Sequence, residues 1–181
     1  GILIFSMVDQ GVATPEEIDA TVRQIGMPMG PFEVLDYTGL DVLYHALKYY
    51  EGTVHGDFRP ARIVEEKIMA GDFGKKTGRG FFDWSKGRPA IDLSRTSDSV
   101  DLGDLIAVQI NEATKLVEMG ACRMGDIDKA IVNGTGNVFG LAAMARGILP
   151  PDMVCRLEAL SEKYNKEIFK PTESICKGIY L

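Results

Sequence analysis

The sequence predicts an all-α fold arranged as two tandem related helical lobes, on three observations. Apolar residues recur three and four apart along nearly the whole chain, helix-start signals stand ahead of those stripes, and one stretch returns at a constant offset. The only extended candidate is the short run Phe81-Phe82-Asp83-Trp84.

The chain opens on Ile2 to Val8, where six of seven residues are apolar, with no Ser, Thr, Asp or Asn ahead of them and no initiator methionine. This reads as a helix entered partway along, so the sequence is treated as a fragment. Thr14-Pro15-Glu16-Glu17 supplies the next helix with a cap, a proline at its first position and acids in its first turn. Next comes Gly26-Met27-Pro28-Met29-Gly30-Pro31-Phe32-Glu33. Its prolines stiffen the backbone, its methionines offer adaptable apolar surface, and Pro31-Phe32-Glu33 begins another helix. A stiff turn with soft side chains suits the wall of a cavity for a flexible apolar chain; helix packing explains the same residues.

Leu40, Leu43, Tyr44, Leu47 and Tyr50 form the next stripe, followed after Pro60 by Ile63, Val64, Ile68 and Met69. In Phe73-Gly74-Lys75-Lys76-Thr77-Gly78-Arg79-Gly80-Phe81-Phe82, three cations and three glycines surround one threonine. Such a loop can present backbone N–H groups and positive charge to an anionic group such as a phosphate, or be a solvated basic turn. Residues 87–99 lose periodicity and gain Ser, Asp and Pro, which marks a linker between lobes near 1–86 and 100–181. Beyond it Leu102, Leu105, Ile106, Ile110, Ala113, Leu116 and Val117 form one helical stripe, and Ile127, Ala130 and Ile131 belong to a second helix. Gly134-Thr135-Gly136-Asn137-Val138-Phe139-Gly140 imitates a dinucleotide-binding loop, but it follows a helix rather than a strand and reads as a flexible turn. Pro150-Pro151-Asp152 opens the last long helix, with Met153, Leu157, Leu160, Tyr164 and Ile168 on one face.

The repeat pairs residues 9–20 with residues 118–129 at an offset of 109. Each copy reads as a helix closed by a glycine, a short connection, and a second helix carrying an Ile-Asp pair (Ile18-Asp19 and Ile127-Asp128). The helix before Gly120 starts around Asp101, so about nine residues of its counterpart are expected ahead of Gly1 if the two lobes share a helix length.

Composition sets the outer bounds. At 181 residues, 45% hydrophobic and 25% charged, the chain can bury a core as one ordinary domain or two small ones. Its net charge of -6 argues against general binding to nucleic acid or an anionic membrane. Cys122, Cys155 and Cys176 are odd in number and form no CxxC pair, which fits reduced thiols and a cytoplasmic location. No apolar run reaches the ~20 residues that span a bilayer, and the opening residues lack the pattern of a signal peptide. His45 lies in the Leu40–Tyr50 helix and His55 in the following loop, with neither a nucleophile nor a metal-binding spacing beside them, so no catalytic or metal role is assigned to either.

Three motifs in order, residues 10–19, Pro28 to Asp36 with Gly39-Leu40-Asp41, and Gly74 to Phe82, resemble the C-terminal region of the 3-hydroxyacyl-CoA dehydrogenase family over residues 9–84. The second lobe resembles the degenerate second copy of longer members: it keeps Asn111-Glu112-Ala113 and Gly120 to Asp128 but loses the Met-Gly-Pro-Phe turn. The resemblance implies helical lobes like the C-terminal domain of 6-phosphogluconate dehydrogenase. It further implies an oxidoreductase of fatty-acid β-oxidation that converts (S)-3-hydroxyacyl-CoA to 3-ketoacyl-CoA with NAD. In that family an N-terminal Rossmann domain binds NAD and carries the catalytic His-Glu pair, while the helical region closes the cleft and forms a homodimer; some members are fused to an enoyl-CoA hydratase domain. The family's active-site Asn would fall before Gly1, so no catalytic residue is assigned here and the chain alone is expected to be inactive. Two roles carry over: Lys76 as a contact to NAD, and Met29, Gly30, Pro31 and Phe32 as a border of the substrate cleft. The rival expectations are a stand-alone helical dimerisation module without catalysis, and a CoA-holding module using Lys75, Lys76 and Arg79.

Overall fold

A computed structural model describes residues 1–135 and 139–180. Among these residues the regular structure is all α-helix and 3-10 turn, with no β-strand, and the chain divides into two compact units, Gly1–Val100 and Asp101–Leu181. The expected extended run 81–84 is instead part of a tight turn, closed by isolated bridges from Gly74 to Arg79 and from Arg79 to Asp83.

In the first unit α1 (Ile2–Asp9), α2 (Pro15–Gln24), α3 (Pro31–Thr38), α4 (Leu40–Thr53) and α5 (Arg62–Ala70) surround a core that includes Phe5, Ile18, Phe32, Leu40 and Val64, each at most 1% exposed. The start signals act as the sequence predicts. Thr14 Oγ1 accepts the Glu17 N–H while the Glu17 carboxylate accepts the Thr14 N–H, a reciprocal cap that satisfies two donors the helix leaves unpaired. Pro31 takes the first position of α3, where its missing N–H costs nothing. Residues 87–99, read from sequence as a linker, carry no helix and lie along this unit. The Gln24 amide donates to Leu93 O (3.2 Å), the Ser97 N–H donates to Thr21 Oγ1 (3.2 Å), and Arg95 pairs with Glu16 (2.8 Å).

The second unit holds α6 (Leu102–Glu118), α7 (Met124–Thr135), α8 (Leu141–Ala145), α9 (Pro150–Tyr164) and α10 (Glu173–Cys176). Ile110 from α6, Leu141 from α8, Met153 and Leu157 from α9, and Ile175 from α10 form its core. The α9 stripe is buried from Met153 to Tyr164, as its spacing predicts, whereas Leu116 on α6 remains 45% exposed. Arg156 on α9 bonds Asp101 (2.7 Å), Asp104 (2.8 Å) and Asp152 (2.9 Å), and these three carboxylates raise its pKa and tie α9 to the start of α6. The glycine-rich stretch 134–140 begins inside α7, and its residues 136–138 lie outside the described residues.

The repeat extends further than its sequence signal. Both α1 and α6 end in the same hydrogen-bond pattern around a left-handed glycine, Gly11 (φ 69°) and Gly120 (φ 73°), with Val12 N–H to Met7 O (2.8 Å) matched by Ala121 N–H to Leu116 O (3.0 Å). The last residue of each helix then caps another helix far along the chain. Asp9 accepts the N–H groups of Arg62 and Ile63 at the start of α5 (2.9 and 3.0 Å), and Glu118 accepts the N–H and hydroxyl of Ser174 at the start of α10 (2.7 Å each). Ahead of those starts stand Phe58-Arg59-Pro60 and Phe169-Lys170-Pro171, and behind them the fully buried Val64 and Ile175. Asn111, 1% exposed, fixes the second of these segments by donating to Lys170 O (2.9 Å) and accepting the Thr172 N–H (3.0 Å).

Losing a cap typically costs about 0.5–2 kcal/mol. Asp9→Ala and Glu118→Ala are therefore expected to lower the stability of their own units by about 1–2 kcal/mol each, read by urea unfolding. Losses of a few tenths or less would show that the caps do not fix α5 and α10.

Candidate functional site

The chemistry-bearing residues of the first unit gather around the start of α3. The turn from Met27 to Pro31 enters that helix through Gly30, whose N–H reaches the Glu33 carboxylate (3.3 Å). Asp19, on α2, accepts the N–H groups of Phe32 (2.8 Å) and Glu33 (2.7 Å), so a carboxylate more than ten residues away caps the helix. Gly30 is the residue that permits this approach, since a Cβ there would stand 2.2 Å from the Asp19 carboxyl carbon. Asp19 and Glu33 are both fully buried. Burial pushes the Asp19 carboxyl up to about 7 against its two N–H bonds, with Glu33 and Asp36 adding to the rise.

The same device recurs in the second unit. Asp128 accepts the Ala142 N–H (3.2 Å) at the start of α8, and a Cβ on Gly140 would stand 2.5 Å from its carboxyl carbon. The sequence reading that the second copy loses the Met-Gly-Pro-Phe turn is thus corrected in part. The Met, Pro and Phe are gone, but the glycine and its capping Asp remain because the backbone contact needs only those two.

The second anchor is Asp36, inside α3 and fully buried. It accepts the N–H groups of Phe81 and Phe82 (2.9 Å each) and the Trp84 indole N–H (3.0 Å), which folds the glycine-rich loop back onto the helix. Burial raises its pKa against those three donors. Gly74 and Gly80 lie so close that a Cβ on either would come within 2.2 Å of Asp36, at its backbone oxygen and its carboxylate respectively. Thr77 Oγ1 closes the loop from inside, donating toward the carbonyls of Gly74 and Arg79 and accepting the Phe73 N–H. Phe81, at the end of this loop, stacks edge-on against Phe32 at 4.7 Å. The turn and the glycine-rich loop, separate in sequence, therefore meet in one place.

Lys76 projects from that loop and pairs with Asp41 in the first turn of α4, lowering the Asp41 pKa, while its ammonium lies 5.7 Å from the Phe73 ring. Its side chain stays 48% exposed. Lys75 sits over the Tyr37 ring at 4.3 Å. A surface groove of about 540 Å³ is walled by Lys67, Thr77, Arg79 and Phe81 among others, and Lys76 is not one of its walls. Of the four expected cleft residues, Gly30 and Phe32 are buried in the core, and Met29 and Pro31 keep part of their surface.

His45 is exposed on α4 beside Tyr44, and His55 accepts the Asp57 N–H (3.1 Å) as the cap of a 3-10 turn. Cys122, Cys155 and Cys176 are free thiols, the last two exposed. Among the described residues no group of His, Cys, Asp and Glu has the arrangement of a metal site, and no helix is long and apolar enough to cross a membrane. Sequence reasoning missed the roles of Asp19, Asp36 and Arg88, which bonds the buried Glu33 and the Pro28 carbonyl. The recurring Ile-Asp pair was the available signal for the first of them.

Residues 2–84 match the family model described as 3-hydroxyacyl-CoA dehydrogenase, C-terminal domain. A 3-hydroxyadipyl-CoA dehydrogenase of Escherichia coli (strain K12) is 36% identical over 96 residues, which cover 51% of this chain and 20% of that protein. A 3-hydroxybutyryl-CoA dehydrogenase of Bradyrhizobium diazoefficiens is 36% identical over 83 residues, covering 44% of this chain and 28% of that one. The chain thus spans less than a third of the length of these relatives. The crystal structure of 3-hydroxybutyryl-CoA dehydrogenase from Escherichia coli K12 superposes with a TM-score of 0.80 over 97% of this chain and 56% of that one; at 20% identity this shows a shared fold.

The raised Asp19 pKa fixes the sign of a pH effect. Between about pH 4 and pH 7 the unfolded chain gives up this proton more readily than the folded one, so stability falls as pH rises across that window and levels off above it. Asp19→Asn removes the titration. Urea unfolding at pH 5 and pH 8 should show parent and variant differing more at pH 5, by roughly 2–4 kcal/mol; a pH-independent difference would place the Asp19 pKa in the ordinary carboxylate range.

Proposed function

We propose that the chain is the helical, cleft-closing and dimerising part of an NAD-dependent (S)-3-hydroxyacyl-CoA dehydrogenase of fatty-acid β-oxidation, incomplete as a catalyst without a dinucleotide-binding domain. The observation that carries this reading is the junction of Phe32 with Phe81. It brings the Met29–Phe32 turn and the Lys76 loop, both inside the segment that matches the family, onto one buried frame held by Asp19 and Asp36. The names of the relatives supply the substrate class, an acyl-CoA.

NAD, when bound, supplies the hydride acceptor. The residues here suit a contact to it rather than a complete site: Lys76 offers one half-exposed ammonium on a rigid loop, and Lys75 a second cation beside it. A ligand phosphate or ribose oxygen reaching Lys76 competes with Asp41 for that ammonium. Met29 and Pro31 give the acyl chain an adaptable apolar wall, and the buried Phe32 fixes where that wall stands. No group in the chain is assigned the task of taking the substrate hydroxyl proton. Dimerisation is supported by exposed apolar residues on and just after α4, with Val42 60%, Tyr49 65% and Val54 63% exposed.

The test is 3-hydroxyacyl-CoA-dependent reduction of NAD, followed by NADH absorbance, for the chain alone and after addition of the separate dinucleotide-binding domain of a relative, extended to include the helix that carries its active-site Asn. The chain alone is expected to show no turnover, and the mixture measurable turnover. Lys76→Ala should weaken dinucleotide binding in the mixture about tenfold, the worth of one charge-assisted hydrogen bond. Turnover by the chain alone, or a mixture indifferent to Lys76, would overturn the reading in its first or second part.

A further inference from the structure

The segment that follows Trp84 makes one contact unlike its others. Along residues 87–99, Leu93, Arg95 and Ser97 meet residues at the surface of α2, where pairings contribute little. Arg88 instead reaches the interior. Its Nε donates to the carboxylate of Glu33, which is 0% exposed, and its Nη2 donates to the carbonyl of Pro28, while half of the Arg88 side chain stays in solvent. Glu33 in turn receives the Gly30 N–H, and its nearest other cation, Arg23, stands at 3.8 Å. One planar guanidinium thus holds both ends of the Pro28-Met29-Gly30 stretch, at Pro28 directly and at Gly30 through Glu33. A lysine ammonium lacks the forked geometry for that.

We propose that Arg88 is a positioning residue for the Met29–Phe32 turn, so that the segment beyond the matched residues 2–84 latches the turn in place. The turn is then held from three sides. Asp19 fixes its helical end, Glu33 its middle, and Arg88 its entry at Pro28. Because the methionines on the turn are flexible, their usefulness as a wall depends on a backbone that does not move with them. The value of the latch for acyl-chain binding rests on the function proposed above; the latch itself does not.

The experiment compares the full chain with Arg88→Ala and Arg88→Lys, following backbone amide exchange together with the methyl resonances of Met27 and Met29. In Arg88→Ala the Gly30 amide should exchange about tenfold faster, as expected for loss of a charge-assisted restraint, and both methyl resonances should shift. Amides of Phe5 and Ile18 in the core of the same unit should keep their parent rates, and Arg88→Lys should restore Gly30 only in part. A general loss of stability would instead speed all of these amides together, and would overturn the positioning role. So would a Gly30 rate and methyl shifts that match the parent. Should Arg88→Ala unfold the first unit, the double variant Glu33→Gln with Arg88→Met removes the latch without leaving a buried carboxylate short of its arginine, and the Met27 and Met29 methyl shifts, set against the Phe5 and Ile18 amide rates, decide. No ligand enters this test, so failure of the Lys76 prediction leaves its result intact.

Discussion

Four helix starts among the described residues are capped from a distance. Every helix begins with N–H groups that have no partner within the helix, and a buried start must find acceptors elsewhere. Asp19 supplies them to α3, Asp9 to α5, Asp128 to α8 and Glu118 to α10. Three of these four helices have eight residues or fewer, too short to persist on propensity alone. The packing of each unit depends on the capping carboxylates because they hold short elements at fixed angles to longer ones. Asp36 applies the same chemistry to a loop, gathering two backbone donors and one indole donor onto one side chain.

This dependence also limits what it costs to bury three acidic side chains together. Asp19, Glu33 and Asp36 are all fully buried within one short stretch of fold, an arrangement whose desolvation would be costly without compensating donors. Asp19 and Asp36 are compensated by N–H groups, and Glu33 by a backbone N–H and arginine. The glycines beside them follow from the same geometry. Gly30, Gly74, Gly80 and Gly140 are places where a carboxylate or a carbonyl comes nearer than any side chain would allow.

The helical content was legible in the sequence because it rests on local signals: apolar spacing, Thr14 and its Glu17 partner, and the prolines at the starts of α3 and α9. The repeat was legible where it was continuous, from residue 9 to residue 20, and hidden where insertions shift the offset between the Phe-cation-Pro segments. What the sequence concealed was pairing across distance. Nothing local marks Asp19 as the cap of a helix beyond the next turn, or Arg88 as the partner of Glu33, since both pairings join residues with no common periodicity. The candidate site shows the same division. Lys76 and the turn at Met29 stood out by composition, but that Phe32 would be core and would meet Phe81 follows only from the way Asp36 folds the loop back.

The Asp36 bond to the indole of Trp84 gives the molecule a built-in optical probe. Trp84 is the only tryptophan in the chain, 7% exposed, and belongs to the first unit, whereas the second unit has tyrosines, Tyr164 and Tyr180, but no tryptophan. Emission excited at the red edge of the indole band therefore reports on one unit alone, while helical circular dichroism reports on both. Where the two signals coincide during denaturation the units unfold as one cooperative body, and where they separate each unit has its own stability.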